Sequence, residues 1–352
     1  MARIGITGTG CYIPKVTVGN DHFLEHTFLN PDGSGFKQSN PVIIKKFKAI
    51  TGIDQRRYAT EEQNSSDLGY YASLKALEDA DLDKEKLDYI IYAHNFGDVP
   101  TQNGQSDMLP SLASRVKQKL GIKNPGCIAY DLIYGCPGWV QAMIHAESFI
   151  KSGLAKRCLI IGGETLSRVV DPYDRDSMIF SDGAGATILE ATEQSGEILG
   201  RASATYANEE ADFLFFGKSN HSEPAATKYI KMHGRKIYEF ALTYVPQAMK
   251  QCLDESGIPI SEVKKIFIHQ ANEKMDQAII DRFYELYDAE PKADVMPMNI
   301  QFLGNSSVAT VPTLFDQVRK GKVDGHQVQK GDVVIFASVG AGMNINALVY
   351  RY

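Results

Sequence analysis

This 352-residue chain repeats itself, and the repeat limits what it can fold into. Residues 77–93 (LEDADLDKEKLDYIIYA) match residues 253–269 (LDESGIPISEVKKIFIH) in their apolar positions at a constant offset of 176. Leu77, Leu82, Leu87, Ile90 and Ile91 align with Leu253, Ile258, Val263, Ile266 and Phe267. Each copy reads as helix, loop and buried strand. A second apolar pair keeps the same spacing, Cys158-Leu159-Ile160-Ile161 with Val334-Ile335-Phe336-Ala337. A duplicated α/β unit is the simplest source of such a pattern. Continuous apolar strands flanked by helices further predict sheets covered on both faces.

Three short segments carry candidate chemistry, each at the end of an apolar run. The first is GCPG around Cys136. Residues 127–133 read as a buried strand, and the run WVQAMIHAESFIKSG spaces Trp139, Met143, Ala146 and Ile150 as one face of a helix ended by Gly153. Pro137 suits the first helical position, where a missing N–H costs nothing. Cys136 is therefore expected at a helix N-terminus, where free N–H groups and the positive dipole end favour thiolate. A free cysteine is more often a buried core residue, but the flanking glycines and the helix start set this one apart.

The second segment is IHQAN. Residues 265–268 read as a short strand, which puts His269 at a strand end, where open α/β sheets place chemistry. His22, His26, His94, His145, His221, His233 and His326 lack such a setting and read as surface or core residues. The third is LGNSS, whose Gly304-Asn305 precedes a helical stripe of Val308, Val311, Leu314, Phe315 and Val318. Alone, Gly-Asn is an ordinary turn or helix cap.

Taken together, GTGCYIP at 8–14, TGIDQRR at 51–57, LGI at 120–122, the Cys136 elbow, SDGAGATIL at 181–189, KMHGRKIYEFA at 231–241, IHQAN and GNSSVATVP resemble the thiolase superfamily. The closest branch is the β-ketoacyl-acyl-carrier-protein synthase III condensing enzymes, and the likeness spans nearly the whole chain. Thiolases proper and the elongating synthases use a second histidine where Asn305 stands. The resemblance implies an α/β fold, a duplicated five-layer αβαβα sandwich with the site between its halves. Residues 1–193 would form the half with the nucleophilic cysteine, and residues 194–352 the half with the histidine and asparagine. A boundary near the polar stretch at 191–197 shows no low-complexity linker, so one rigid body is expected.

The same resemblance implies the roles. Cys136 would take the acyl group from a thioester. His269 and Asn305 would hold the enolate formed when a malonyl thioester loses carbon dioxide, and the backbone N–H groups of Cys136 and Gly342 would form the oxyanion hole. Phe47, Arg57 and Lys274 are approximate counterparts of residues that hold coenzyme A, and Leu109 stands where an aromatic residue often closes the acyl pocket. Coenzyme A or acyl-carrier-protein phosphopantetheine thioesters would be substrates, with no permanently bound cofactor and no metal, and a homodimer is expected.

Several stretches depart from that pattern. The usual glycine-rich turn is SVGAGMNIN at 338–346, with Ala341 where glycine is typical, so the turn must suit a Cβ. The loop NFGDVPTQNGQSDML at 95–109 is long enough to reach a partner subunit, LNPDGSGFKQSN at 29–40 looks inserted, and Trp139 reads as a core residue. Lys45, Lys46, Lys48, Arg56, Arg57 and Lys274 would form a basic rim for an acidic carrier or the coenzyme's phosphates.

A net charge of −6 argues against nucleic acid as a partner. No apolar run reaches the 18 to 20 residues of a membrane span and no signal-peptide pattern opens the chain, so a cytoplasmic protein is expected. Five cysteines without CxxC pairing give little support to disulfides or zinc. The glycines of GITGTG do not fit a dinucleotide fingerprint, and SDGAGA lacks the Lys-Ser/Thr of a phosphate loop.

The leading expectation is a ketosynthase making a carbon–carbon bond by decarboxylative Claisen condensation, in fatty-acid initiation or, favoured by the altered loops, in a specialised lipid or polyketide pathway. Head-to-head joining of two β-ketoacyl units into a cyclic dione and acyl transfer to an oxygen or nitrogen nucleophile are the enzyme alternatives. A non-catalytic partner subunit ranks last, because Cys136 is intact.

Overall fold

The structure, a computed structural model, describes residues 3–102, 104–193, 196–221 and 227–352. The first half runs β1 (Arg3–Tyr12), β2 (Val16–Gly19), α1 (Asn40–Thr51), β3 (Gln55–Tyr58), α2 (Ser65–Asp79), β4 (Tyr89–His94) and α3 (Leu112–Leu120). It continues through β5 (Ile128–Ile133), α4 (Gly138–Lys151), β6 (Arg157–Thr165) and β7 (Asp182–Thr192). The second half runs β8 (Glu197–Thr205), β9 (Leu214–Lys218), β10 (Lys228–Met232), α5 (Gly234–Ser256), β11 (Val263–Ile268) and α6 (Glu273–Glu285). It ends with α7 (Ile300–Leu303), α8 (Thr310–Arg319), β12 (Val333–Gly340) and β13 (Asn344–Arg351). The expected boundary falls between β7 and β8, where residues 194 and 195 lie outside the described residues.

The duplication read from the sequence is present in four strands of each sheet. One sheet has the order β1-β7-β6-β4-β5, the other β8-β13-β12-β11, so β8, β13, β12 and β11 repeat β1, β7, β6 and β4. The pairing senses repeat too: β4 with β6 and β11 with β12 are parallel, while β6 with β7 and β12 with β13 are antiparallel. Even the single 3₁₀ turn before the inner strand recurs at the same offset, Lys84–Lys86 and Ile260–Glu262.

Three apolar layers hold the sheets. Between them lie α4 and α8. Trp139, Met143 and Ala146 from α4 and Val311, Leu314 and Phe315 from α8 share one core with Ile91 and Ile160 of the first sheet and Phe267 and Phe336 of the second. Outside, α2 and α3 cover the first sheet, and α5 and α6 the second. Helix, sheet, helix, sheet, helix is the five-layer α/β sandwich of the thiolase superfamily. Trp139 is only 1% exposed and meets the Phe336 ring edge-on at 5.4 Å, so its place is the core.

Two local expectations change. Residues 128–133 form a strand, but β5 ends the sheet beside β4, and its Ile128 and Ile133 are 48% and 62% exposed there. Helix α4 begins at Gly138 with Pro137 as its N-cap, so Cys136 sits one residue before the cap rather than on it.

Candidate active site

The two central helices meet the chain at the seam between the sheets, and there the three sequence candidates come together. Cys136, His269 and Asn305 all line one cavity of about 420 Å³. Cys136 is carried there by a tight turn. Gly135 holds φ +68°, and a Cβ on it would approach the Ala341 nitrogen to 3.1 Å. Gly340 presses on the other side, where a Cβ would come within 2.7 Å of the Cys136 nitrogen. Glycine at both places lets the 340–343 turn close directly over Cys136.

His269 follows β11, its backbone N–H donating to the Ala337 carbonyl at 2.8 Å. The side chain is buried, and burial lowers its pKa to about 4, with the backbone of Ser307 working weakly the other way. The imidazole is therefore neutral at physiological pH, a hydrogen-bond donor rather than a cation. Its Nδ1 is enclosed, and the Ser307 backbone lies beside the ring.

Asn305 is locked by its backbone. Its N–H donates to the Ile179 carbonyl at 2.9 Å and its carbonyl accepts from Ser181 at 2.8 Å. Its Oδ1 accepts the Ser307 N–H at 2.8 Å, which fixes the amide orientation and leaves the side-chain N–H groups for the cavity.

Reading the sequence missed Ser307. It donates its hydroxyl to Cys136 Sγ at 3.2 Å, its N–H to Asn305, and it adjoins the His269 ring. It does so from φ +52°, a left-handed conformation that costs a non-glycine residue about 1 kcal/mol or more. The pattern N-S-S ahead of a helix gave no hint that the second serine would reach a thiol 171 residues away.

Cys136 also departs from the expected thiolate. Burial raises its pKa to about 11, the Ser307 hydroxyl lowers it, and the nearby Glu164 raises it further. The helix starts one residue later than the sequence put it, and the half-buried sulfur loses more to desolvation than it gains from N–H groups at the helix end.

The remaining candidates separate. Phe47 lines the cavity, with the Arg56 guanidinium 5.9 Å from its ring centre. Arg57 does not line it: on β3 neighbouring side chains face opposite ways, so the buried Arg56 points inward, bonding Met178 and Val18 carbonyls, while the Arg57 backbone pairs with Ser181. Lys274 is exposed on α6 and also lies off the cavity. The exposed basic residues that do line it are Lys46, Arg175 and Arg235, which mark its mouth. Leu109 is 88% exposed at the end of the 95–109 loop and closes no part of this chain's own cavity; residue 103 of that loop lies outside the described residues. Gly342, at φ +75°, is not on the cavity wall, where Gly340 takes its place, and a Cβ on Gly342 would meet only the Asn344 side chain. Ala341 stays outside the left-handed region, so the alanine fits this turn without strain.

The inner wall is apolar, built by Leu166, Phe180, Leu214, Ile230 and Met232. Among the described residues no group of acidic, histidine or cysteine side chains has the spacing of a metal site, and no helix is long and apolar enough to cross a membrane.

A half-buried thiol, a neutral imidazole and a fixed amide at the seam of a duplicated αβαβα sandwich are the marks of a thiolase-type condensing enzyme. Comparison with known proteins narrows the class. Residues 130–207 match the family model for 3-oxoacyl-[acyl-carrier-protein] synthase III, and residues 253–352 match the model for its C-terminal part. The chain is 34% identical over 349 residues, 99% of each protein, to β-ketoacyl-[acyl-carrier-protein] synthase III 1 of Vibrio vulnificus. Among solved structures it superposes on 3-oxoacyl-[acyl-carrier-protein] synthase III of Aquifex aeolicus with a TM-score of 0.80 at 30% identity, covering 99% of this chain and 100% of the other. The Pseudomonas aeruginosa enzyme gives 0.81 at 26% identity, covering 99% and 98%. The chain belongs to the 3-oxoacyl-[acyl-carrier-protein] synthase III family of condensing enzymes.

Proposed function

We propose that this enzyme forms a carbon–carbon bond by decarboxylative Claisen condensation, through an acyl-Cys136 intermediate. The observation that carries the reading is that Cys136, His269 and Asn305 share one cavity with an apolar inner wall and a basic mouth. The thiol accepts the acyl group of a coenzyme A or acyl-carrier thioester, whose chain lies against Leu166, Phe180 and Ile230. A malonyl thioester then enters past Lys46, Arg175 and Arg235, which suit the phosphates of a pantetheine carrier or an acidic carrier protein. As carbon dioxide leaves, the enolate oxygen takes hydrogen bonds from His269 Nε2, the ring nitrogen opposite the enclosed Nδ1, and from the Asn305 amide. A neutral histidine suits this step, since its N–H donates a hydrogen bond to the enolate without handing over the proton. The carbanion attacks the acyl-Cys136 carbonyl, whose oxygen is held by the Cys136 N–H and an N–H of the 340–342 turn.

The two halves, residues 1–193 and 194–352, thus divide the labour, and a homodimer completes the picture. The exposed edge of β5 and the projecting Leu109 form the surface a second copy would cover, with Leu109 reaching the partner's acyl pocket. The altered loops favour a specialised lipid or polyketide pathway over fatty-acid initiation.

The test is mass spectrometry of Cys136 after incubation with a panel of acyl-coenzyme A and acyl-carrier thioesters, followed by malonyl carrier. An acyl adduct that releases carbon dioxide and product on malonyl addition supports the reading. Adducts discharged onto hydroxyl or amine acceptors instead would replace condensation by acyl transfer, and no adduct from any thioester would overturn both.

A further inference from the structure

Behind the nucleophile, polar side chains that the chemistry above leaves unused lead back to a buried carboxyl. Glu164, near the end of β6, accepts from the backbone N–H of Asn95 and, at 2.6 Å, from the Asn95 side-chain amide. The same amide nitrogen reaches Ser307 Oγ at 3.0 Å, and Ser307 Oγ reaches Cys136 Sγ at 3.2 Å. Glu164 is 1% exposed, so this is an interior feature and not a surface pair.

The direction of each bond is fixed by chemistry. A carboxyl oxygen that already accepts the Asn95 backbone N–H will not face an amide oxygen, so the Asn95 amide turns its nitrogen inward. An amide nitrogen has two N–H bonds: one goes to Glu164 and the second to Ser307 Oγ. The serine hydroxyl has one proton. With Asn95 donating into its lone pair, that proton is left to point at sulfur. Asn95 donates at both ends, so the line passes no proton along; it orients one.

The geometry points to Ser307 as a catalytic hydrogen-bond donor to the Cys136 sulfur, aimed by Asn95 and Glu164 acting as positioning residues. The donor stabilises the thiolate that attacks the incoming thioester and the thiolate that leaves when the acyl group departs. Two further observations agree. Ser307 is held in the left-handed region, at φ +52°, which serine adopts only when its surroundings impose it. Burial pushes the thiol up to about 11 and the acid Glu164 up to about 7, so the sulfur lacks solvent help and an O–H donor is the compensation in reach.

This inference rests on Cys136 being the nucleophile but not on condensation, and it is tested without any thioester. Alkylation of Cys136 by iodoacetamide is followed by mass spectrometry in the full-length protein across neutral to alkaline pH. Ser307→Gly suits the positive φ and removes only the hydroxyl. It is expected to fold, to melt as the wild type does, to react about tenfold more slowly at neutral pH and to titrate about one unit higher. Ser307→Thr restores the donor and the profile. Asn95→Ala shifts the profile upward as Ser307→Gly does, and Glu164→Ala lies above Glu164→Gln, because both lose the charge that raises the thiol and only glutamine keeps an acceptor oxygen for Asn95. A Ser307→Gly profile that coincides with the wild type, or moves downward, overturns the proposal. So does a Glu164→Ala profile that coincides with that of Glu164→Gln, which would make charge and not orientation the cause. If the shifts appear and no thioester is condensed, the donor stands and the proposed function fails.

Discussion

In the first half, β4 runs out at His94 and delivers Asn95 to the seam, while the central helix α4 is preceded by Cys136; in the second, β11 runs out at Ile268 and delivers His269, while α8 is preceded by Ser307. The frames are copies, yet the residues that follow the strands and precede the helices differ in chemistry. One strand is followed by an amide that meets a neighbouring hydroxyl, the other by an imidazole that faces the cavity. One helix is preceded by the cavity thiol, the other by the hydroxyl that touches it. The contact between Ser307 Oγ and Cys136 Sγ joins the segments that lead into the two central helices. Duplication therefore supplied the geometry, and divergence at a few positions supplied the reaction.

Substitutions on the two sides should separate accordingly. The largest effect is expected from Cys136→Ala, which removes the only reacting atom the first half contributes: acyl adducts vanish in mass spectra and condensation falls by about 10⁴ or more. A turnover within tenfold of wild type would assign the chemistry elsewhere. His269→Ala and Asn305→Ala, on the other side, should still acylate Cys136 but lose about 10² to 10³ in carbon dioxide release from malonyl carrier. Equal losses in acylation and decarboxylation would dissolve the division between halves.

The pH response sharpens the same contrast. Burial lowers the His269 pKa from 6.5 to about 4, so the donor form persists well below neutrality. Decarboxylation by enzyme already acylated should show no acid limb near 6.5, where an ordinary histidine would cost about tenfold for each further unit. For stability the sign follows from the unfolded chain taking the proton first. The contribution of His269 is complete above 6.5 and is lost as pH falls from there towards 4, which His269→Asn should abolish in melting curves. The smallest effect belongs to the mouth. Lys46→Glu with Arg235→Glu should raise the carrier KM several-fold, most at low salt, while Arg57→Glu with Lys274→Glu should change it less, because neither of those side chains lines the cavity.

Much of the frame was legible because it repeats. The offset of 176 aligns β4 with β11 and β6 with β12, and the helical stripe from Val308 to Val318 is the face that α8 buries. Motif ends located Cys136, His269 and Asn305 within one cavity. What escaped depends on facts that lie outside any single segment. Arg56 and Arg57 are adjacent on β3, and their alternation says that one faces inward without saying which. The helix start before α4 is visible in Pro137 and the apolar spacing after it, but the desolvation that reverses its effect on Cys136 comes from residues far along the chain. Asn95, Glu164 and Ser307 look like unremarkable loop and strand residues until folding brings them into line. Leu109 and Gly342 were placed by likeness alone, and neither lines this chain's own cavity.

The single tryptophan, described above only as packing, has an optical consequence. Trp139 belongs to the first half and leans on Phe336 of the second at 5.4 Å, so its indole enters an apolar, water-free setting only when the halves have docked. Its emission is thus a built-in signal of assembly at the seam where the sulfur acquires its donor. Refolding followed by that emission should recover in step with the alkylation rate of Cys136, and both should lag the far-ultraviolet dichroism that reports strands and helices formed within each half.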